Sequence, residues 1–121
     1  MANPNIINVT DIRGKTNYLD VTASALSLVY NAAASGEVYK VNTVSVTNTT
    51  AYAIYVYLQV VRPVGAVPTT YEVCYKVSVP PSSTLVLVAR DSGFYLEEDD
   101  DLQIYGSATG LTALGSYEVI N

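Results

Sequence analysis

Histidine and tryptophan are absent from the 121-residue chain, and cysteine, methionine and phenylalanine each occur once. Without histidine the commonest general base and the commonest metal ligand are missing. Catalysis would have to rest on carboxylates, tyrosine or lysine, because no serine or threonine has an evident partner to activate it. The lone cysteine, Cys74, cannot close an intrachain disulfide. It sits in the alternating stretch "TYEVCYKVSV" and reads as an unreacted thiol packed in or between sheets. A chain without disulfides fits assembly in a reducing cytoplasm.

Basic residues are also scarce, six against eleven acidic ones, for a net charge of −5. The six are dispersed, at Arg13, Lys15, Lys40, Arg62, Lys76 and Arg90. A nucleic-acid backbone would be repelled by this balance, so no nucleic-acid partner is expected. No apolar run approaches the roughly 20 residues that span a bilayer. The opening "MANPNIINVTDIRGKT" lacks the basic and apolar regions of a secretion signal. Neither a membrane partner nor a cofactor is expected, and the chain reads as non-enzymatic.

What the sequence does have is alternation. Apolar residues recur at every second position between closely spaced turn residues, the mark of an all-β domain. Leu26, Leu28 and Tyr30 share a face before "NAAASG". In "EVYKVNTVSVTN", Tyr39 and Val41 hold one phase and Val44 and Val46 the other, so a bulge or a change of sheet is expected around Asn42 and Thr43. "AYAIYVYLQVV" (51–61) is apolar on both faces, and its second face needs a partner of its own. "RPVGAVP" (62–68), with two prolines and a glycine, reads as a loop. A strand over about 70–79 would place Tyr71, Val73, Tyr75, Val77 and Val79 on one face, and "STLVLVAR" (83–90) reads as a strand covered on both sides. Short strands at 94–96, 102–107 and 114–120 complete about eight, which in one domain of this length predict a two-sheet antiparallel β-sandwich. Jelly-roll and immunoglobulin-like connections both fit. Residues 1–16, rich in Asn and without alternation, are expected to form an extended N-terminal arm, with the sandwich over 17–121.

Five consecutive acids, Glu97 to Asp101, are the conspicuous polar feature. They lack the D-x-D-x-D-G spacing of a calcium loop, and successive side chains in a turn between strands diverge. Adjacent exposed acids also lack the burial that a glycosidase acid needs. The run therefore reads as a solvated turn whose side chains cap backbone N–H groups and whose charges contribute little to stability. "RGKT" (13–16) resembles the end of a phosphate-binding loop, but Val9 stands where the first glycine belongs. Two N-x-[ST] sequons, at Asn8 and Asn48, have no secretory route to make them meaningful. Tyrosine, present eleven times, carries an apolar ring with a polar tip and suits surfaces that become dry on assembly. Tyr55 and Tyr57, on the second face of the 51–61 strand, are the expected subunit contact.

Four stretches, "GEVYKVNTVSVTN" (36–48), "YKVSVPPSSTLVLV" (75–88), "FYLEEDDDLQIYGSATGL" (94–111) and "SYEVIN" (116–121), together resemble small structural proteins of tailed bacteriophages, those of cyanobacteria and other aquatic bacteria above all. The pattern runs V-Y-K-[VI]-N, then V-P-x-x-[ST]-x-[LV]-V-[LV], then Y-L-E-E-G-D-x-L, then S-Y-E-[EV]-I. Asp99 replaces the glycine that commonly follows the two glutamates, which leaves the turn type open but not its existence. The resemblance implies a virion protein, assembled in the host cytoplasm and placed on the capsid surface. A decoration (cement) protein comes first: a homo-oligomer, favoured as a trimer, bound between subunits of the major capsid protein. Its arm would contact the capsid through Ile6, Ile7, Val9, Ile12, Arg13 and Lys15. A tail, neck or baseplate adaptor is the alternative, and a carbohydrate-binding module of the virion surface is the third.

Overall fold

A computed structural model describes residues 11–64 and 67–121. It contains nine strands: β1 (Ile12–Val21), β2 (Leu26–Tyr30), β3 (Val38–Asn48), β4 (Ile54–Val64), β5 (Val67–Val79), β6 (Ser83–Val88), β7 (Phe94–Leu96), β8 (Asp101–Gly106) and β9 (Leu111–Ile120). One sheet runs β1-β9-β3-β6, with β7 also paired to β3; the other runs β2-β8-β4-β5. The pairings β1 with β9, β2 with β8, β3 with β6 and β7, and β4 with β5 are all antiparallel. That is a long hairpin wrapped into two facing sheets, so of the two connections left open by the sequence the chain takes the jelly roll. Val44, Val46, Val56, Leu58, Leu96, Leu102, Ile104 and Ala113 fill the space between the sheets and are fully buried.

The expected irregularity in β3 is present: the register against β9 slips between Val41 and Thr43, leaving Asn42 as the extra residue. The phase change lets both halves of the strand face the core, with Val41 and Val44 fully buried.

Four expectations are corrected. Residues 12–16 of the expected arm belong to the sandwich, pairing with Ser116–Ile120 as part of β1. The prolines of "RPVGAVP" lie within strands, where Pro63 opposes Pro68. Two prolines cannot exchange N–H···O bonds, so theirs is a non-hydrogen-bonded pair, and the missing donors cost the ladder nothing. The β5 side chains do not share one face: two register slips against β4 bring Cys74 opposite Leu58 on the core side and turn Tyr75 to the outer face against Tyr57, while Tyr71 opposes Val60 and Val77 opposes Val56, and Lys76 takes a φ of 53°. Finally, β6 is covered on one side only: Leu85 and Leu87 pack against the core, whereas Thr84 and Val86 are exposed, Val86 to 58%.

Candidate functional site

The acidic run lies at one end of the sandwich, between β7 of one sheet and β8 of the other. It is a crossover between sheets and not a turn between two paired strands, since β7 pairs with β3 and β8 with β2 and β4. Nor is it wholly solvated: Asp100 is 0% exposed and Glu98 is buried. Arg62, projecting from the end of β4, donates Nε–H to Asp100 Oδ1 at 2.8 Å and Nη2–H to Asp100 Oδ2 at 2.6 Å, and its Nη2 lies 3.0 Å from Glu97 Oε2. Hydrogen bonding to Asp100 is the largest influence on the guanidinium and raises its pKa.

The capping part of the expectation matches the geometry. Asp100 Oδ2 accepts the Glu97 N–H at 2.8 Å, and Glu98 Oε2 accepts the Gly36 N–H at 3.0 Å. Asp99 takes a φ of 70°, the left-handed conformation that glycine would adopt without strain and aspartate tolerates. Its carboxylate accepts the Tyr30 hydroxyl, while Asp101 accepts Ser27 Oγ–H and Gln103 Nε2–H. Glu97 and Asp100 thus share Arg62, while Glu98, Asp99 and Asp101 each engage a separate partner, and the five do not converge on one point. Among the described residues no group of three or more His, Cys, Asp or Glu could hold a metal ion.

Beneath this loop lies a residue that the sequence reading missed. Asn31 is fully buried; its Nδ2 donates to the carbonyls of Glu37 (2.9 Å) and Leu96 (3.0 Å), and its Oδ1 accepts from Ser35 Oγ at 2.7 Å. Its backbone exchanges bonds with Asp99 and Asp100. Toward the opposite end Asn48 plays the same part, donating to the Tyr52 and Val79 carbonyls and accepting from Thr50. A buried amide with every position filled pins irregular backbone that no ladder can satisfy. Asparagine at the end of a strand gives no periodic signal, so only the structure identifies these two.

The outer face of the four-stranded sheet holds both tyrosines expected at a subunit contact. Tyr57 of β4 opposes Tyr105 of β8, and the rings lie 4.6 Å apart and within 4° of parallel. Neighbouring strands are about 4.8 Å apart, so the rings stand upright and stacked. Their mutual faces are closed to a sugar ring, while edges and hydroxyls point outward. Tyr75 meets Tyr57 edge-on at 5.3 Å, and Lys76 Nζ lies 5.2 Å from the centre of the Tyr55 ring. Burial raises the Tyr105 pKa, aided by Glu72.

The other outer face carries a row across all four main strands: Tyr18 of β1 opposes Leu114 of β9, which opposes Ser45 of β3, which opposes Val86 of β6. Tyr18 is 79% exposed, and Leu114 and Val86 are also open. Of the expected arm contacts, Ile6, Ile7 and Val9 lie outside the described residues. Ile12, Arg13 and Lys15 are in β1, where Ile12 is exposed opposite Ile120 and Arg13 pairs with Glu37 at 2.9 Å and Asp11 at 3.3 Å. Cys74 is half-buried, its thiol directed at the Leu87 carbonyl 3.8 Å away, and burial raises its pKa.

No protein-family model and no curated protein matches the chain. Among solved structures it is similar to a chain of the Bacillus endospore appendages, described as a family of disulfide-linked pili. The two share 16% sequence identity and superpose with a TM-score of 0.50, over 99% of this chain and 95% of that one. The likeness is one of fold. A run of subunits joined one to the next by disulfides needs at least two cysteines in each, and Cys74 alone allows one bridge.

Proposed function

We propose that the chain is a non-enzymatic structural subunit of a virus particle, a capsid decoration protein that seats between major capsid subunits and stiffens the head. The observation that supports this best is that both outer faces carry exposed large apolar side chains. The Tyr55, Tyr57, Tyr75 and Tyr105 cluster lies on one sheet and the Tyr18, Leu114 and Val86 row on the other, so both broad sides of a small rigid sandwich offer contact surface. The acids, bound up in hydrogen bonds and ion pairs, act as fasteners of the fold. A clamp of this kind works by repetition. Many copies each bury a modest area, and the shell gains resistance to internal pressure with no reaction performed.

Particle composition tests the proposal. Quantitative mass spectrometry of purified virions should find the chain at a copy number comparable with that of the major capsid protein. A count matching a tail or neck ring would move the same sandwich to the adaptor position. Absence from particles would refute both. Substituting Tyr18 and Val86 by Ser should leave the fold intact and reduce occupancy on heads. Full occupancy would show that the five-stranded face is not a contact.

A further inference from the structure

The free edge of β5 carries a second kind of surface. No strand among the described residues pairs with β5 on the side away from β4. Between Val67 and Glu72 its register against β4 is unbroken, whereas both slips fall beyond Glu72. Edges are commonly blunted by bulges, and here only the second half of the strand is protected in that way.

The proline pair fixes which backbone groups point outward. Pro63 opposite Pro68 is a non-hydrogen-bonded pair, and such pairs alternate with hydrogen-bonded ones along an antiparallel ladder. Val61 opposite Thr70 and Gln59 opposite Glu72 are therefore also non-hydrogen-bonded. The N–H and C=O groups of Thr70 and Glu72 point away from β4, to the open edge. Pro68 offers only its carbonyl there. Beside this edge, between the sheets, is an open groove of about 280 Å³ lined by Val60, Arg62, Tyr71, Phe94 and Tyr95. Tyr71 is 51% exposed.

We infer that this edge pairs with the same edge of a second copy, antiparallel about a two-fold axis at Tyr71. Within the regular segment the centre can fall from Pro68 to Glu72. Centred on Pro68, Thr69 or Thr70, the pairing sets Pro68 against itself, Thr70 or Glu72 in turn, and Pro68 has no N–H to return. Centred on Glu72, it sets two carboxylates side by side at the axis. Centred on Tyr71, it sets Thr70 of each copy against Glu72 of the other and uses both outward donors of each chain. Only this register satisfies the edge, and it does so with itself, which is why the occupant is a second copy and not an unrelated strand. The two Tyr71 side chains then meet at the axis over their grooves, and the four-stranded sheets join into one sheet of eight. The contact does not depend on where the protein resides.

The test uses substitutions that spare the monomer. Glu72→Pro and Thr70→Pro each delete an outward N–H that β4 does not use, at an edge position where proline is tolerated. In sedimentation velocity the unaltered chain should be a concentration-dependent dimer. Either substitution should raise the dissociation constant by about tenfold or more, from two backbone bonds lost across the axis, with an unchanged circular-dichroism spectrum and melting point. In a Cys74→Ala background, Tyr71→Cys should oxidise to a covalent dimer because the two positions adjoin at the axis, while Thr69→Cys should not. A monomer at all concentrations, a trimer, a dimer insensitive to Glu72→Pro, or cross-linking at position 69 but not 71 would each overturn the inference. Loss of the dimer contact would leave the virion reading standing, since that rests on particle composition.

Discussion

Replacing Asp100 by Asn should cost far more than its place in a run of acids implies. Both carboxylate oxygens bind Arg62, and one also accepts the Glu97 N–H. Every group facing Asp100 in these bonds is a donor. An amide offers one oxygen in place of two and turns an NH2 toward a donor whichever way it is flipped. At least one charge-assisted hydrogen bond is lost, about 1.5–3 kcal/mol, and a buried donor is left facing another. The full penalty for breaking a buried ion pair, about 3–5 kcal/mol, is an upper bound, because the Arg62 side chain is 37% exposed and keeps Glu97 at 3.0 Å. The expected loss is about 3 kcal/mol, or roughly 10 °C in melting temperature for a domain of this size. Asp99→Asn, which keeps an oxygen for the Tyr30 hydroxyl at an exposed site, should cost less than about 1 kcal/mol. Urea and thermal unfolding of the two variants decide the matter. If Asp100→Asn melts with the unaltered protein, the buried pair holds nothing together and the loop is the solvated turn that its composition suggests.

Asn31→Leu removes three side-chain hydrogen bonds and strands the carbonyls of Glu37 and Leu96, and should lower stability by about 2–4 kcal/mol in urea unfolding. Gly93→Ala places a Cβ 2.4 Å from the Val41 carbonyl oxygen, a backbone atom that cannot step aside, so a loss of at least about 2 kcal/mol is expected, while Gly14→Ala meets open space and should be nearly neutral. Burial first, then the Glu37 carboxylate, raises the pKa of Tyr39 above its ordinary 10.0. The native state therefore holds that proton more tightly; the stability this gives is whole below the ordinary value and is lost as pH rises through the native one. Unfolding free energies measured across the alkaline range should fall with pH, and less steeply in Tyr39→Phe.

Strand content and the β3 bulge were legible because both are written in local alternation: the phase switch from Tyr39 and Val41 to Val44 and Val46 is visible within a dozen residues. The sheet order was not, since a jelly roll pairs β1 with β9 and β2 with β8, and nothing local records those partners. The same distance hid the role of the acids. Arg62 is 38 residues from Asp100 and sits beside a proline, where composition suggests a loop. Tyr57 was placed on its outer face correctly, but its stacking partner Tyr105 belongs to another strand. The prolines misled for a further reason. A missing N–H forbids only those strand positions whose donor is needed, and a facing pair of prolines needs neither.

The N–H of Asp11 bonds to the Asn121 carbonyl at 3.1 Å and the N–H of Asn121 to the Asp11 carbonyl at 3.1 Å, closing the end of the β1–β9 ladder. Mechanically this is the weak geometry. Tension applied between those two residues would load the rungs one at a time and peel the strands apart like a zipper, without shearing them together. Force delivered at Asp11 and Asn121 meets one rung at a time, whereas force across the flanks compresses or shears the sandwich as one block.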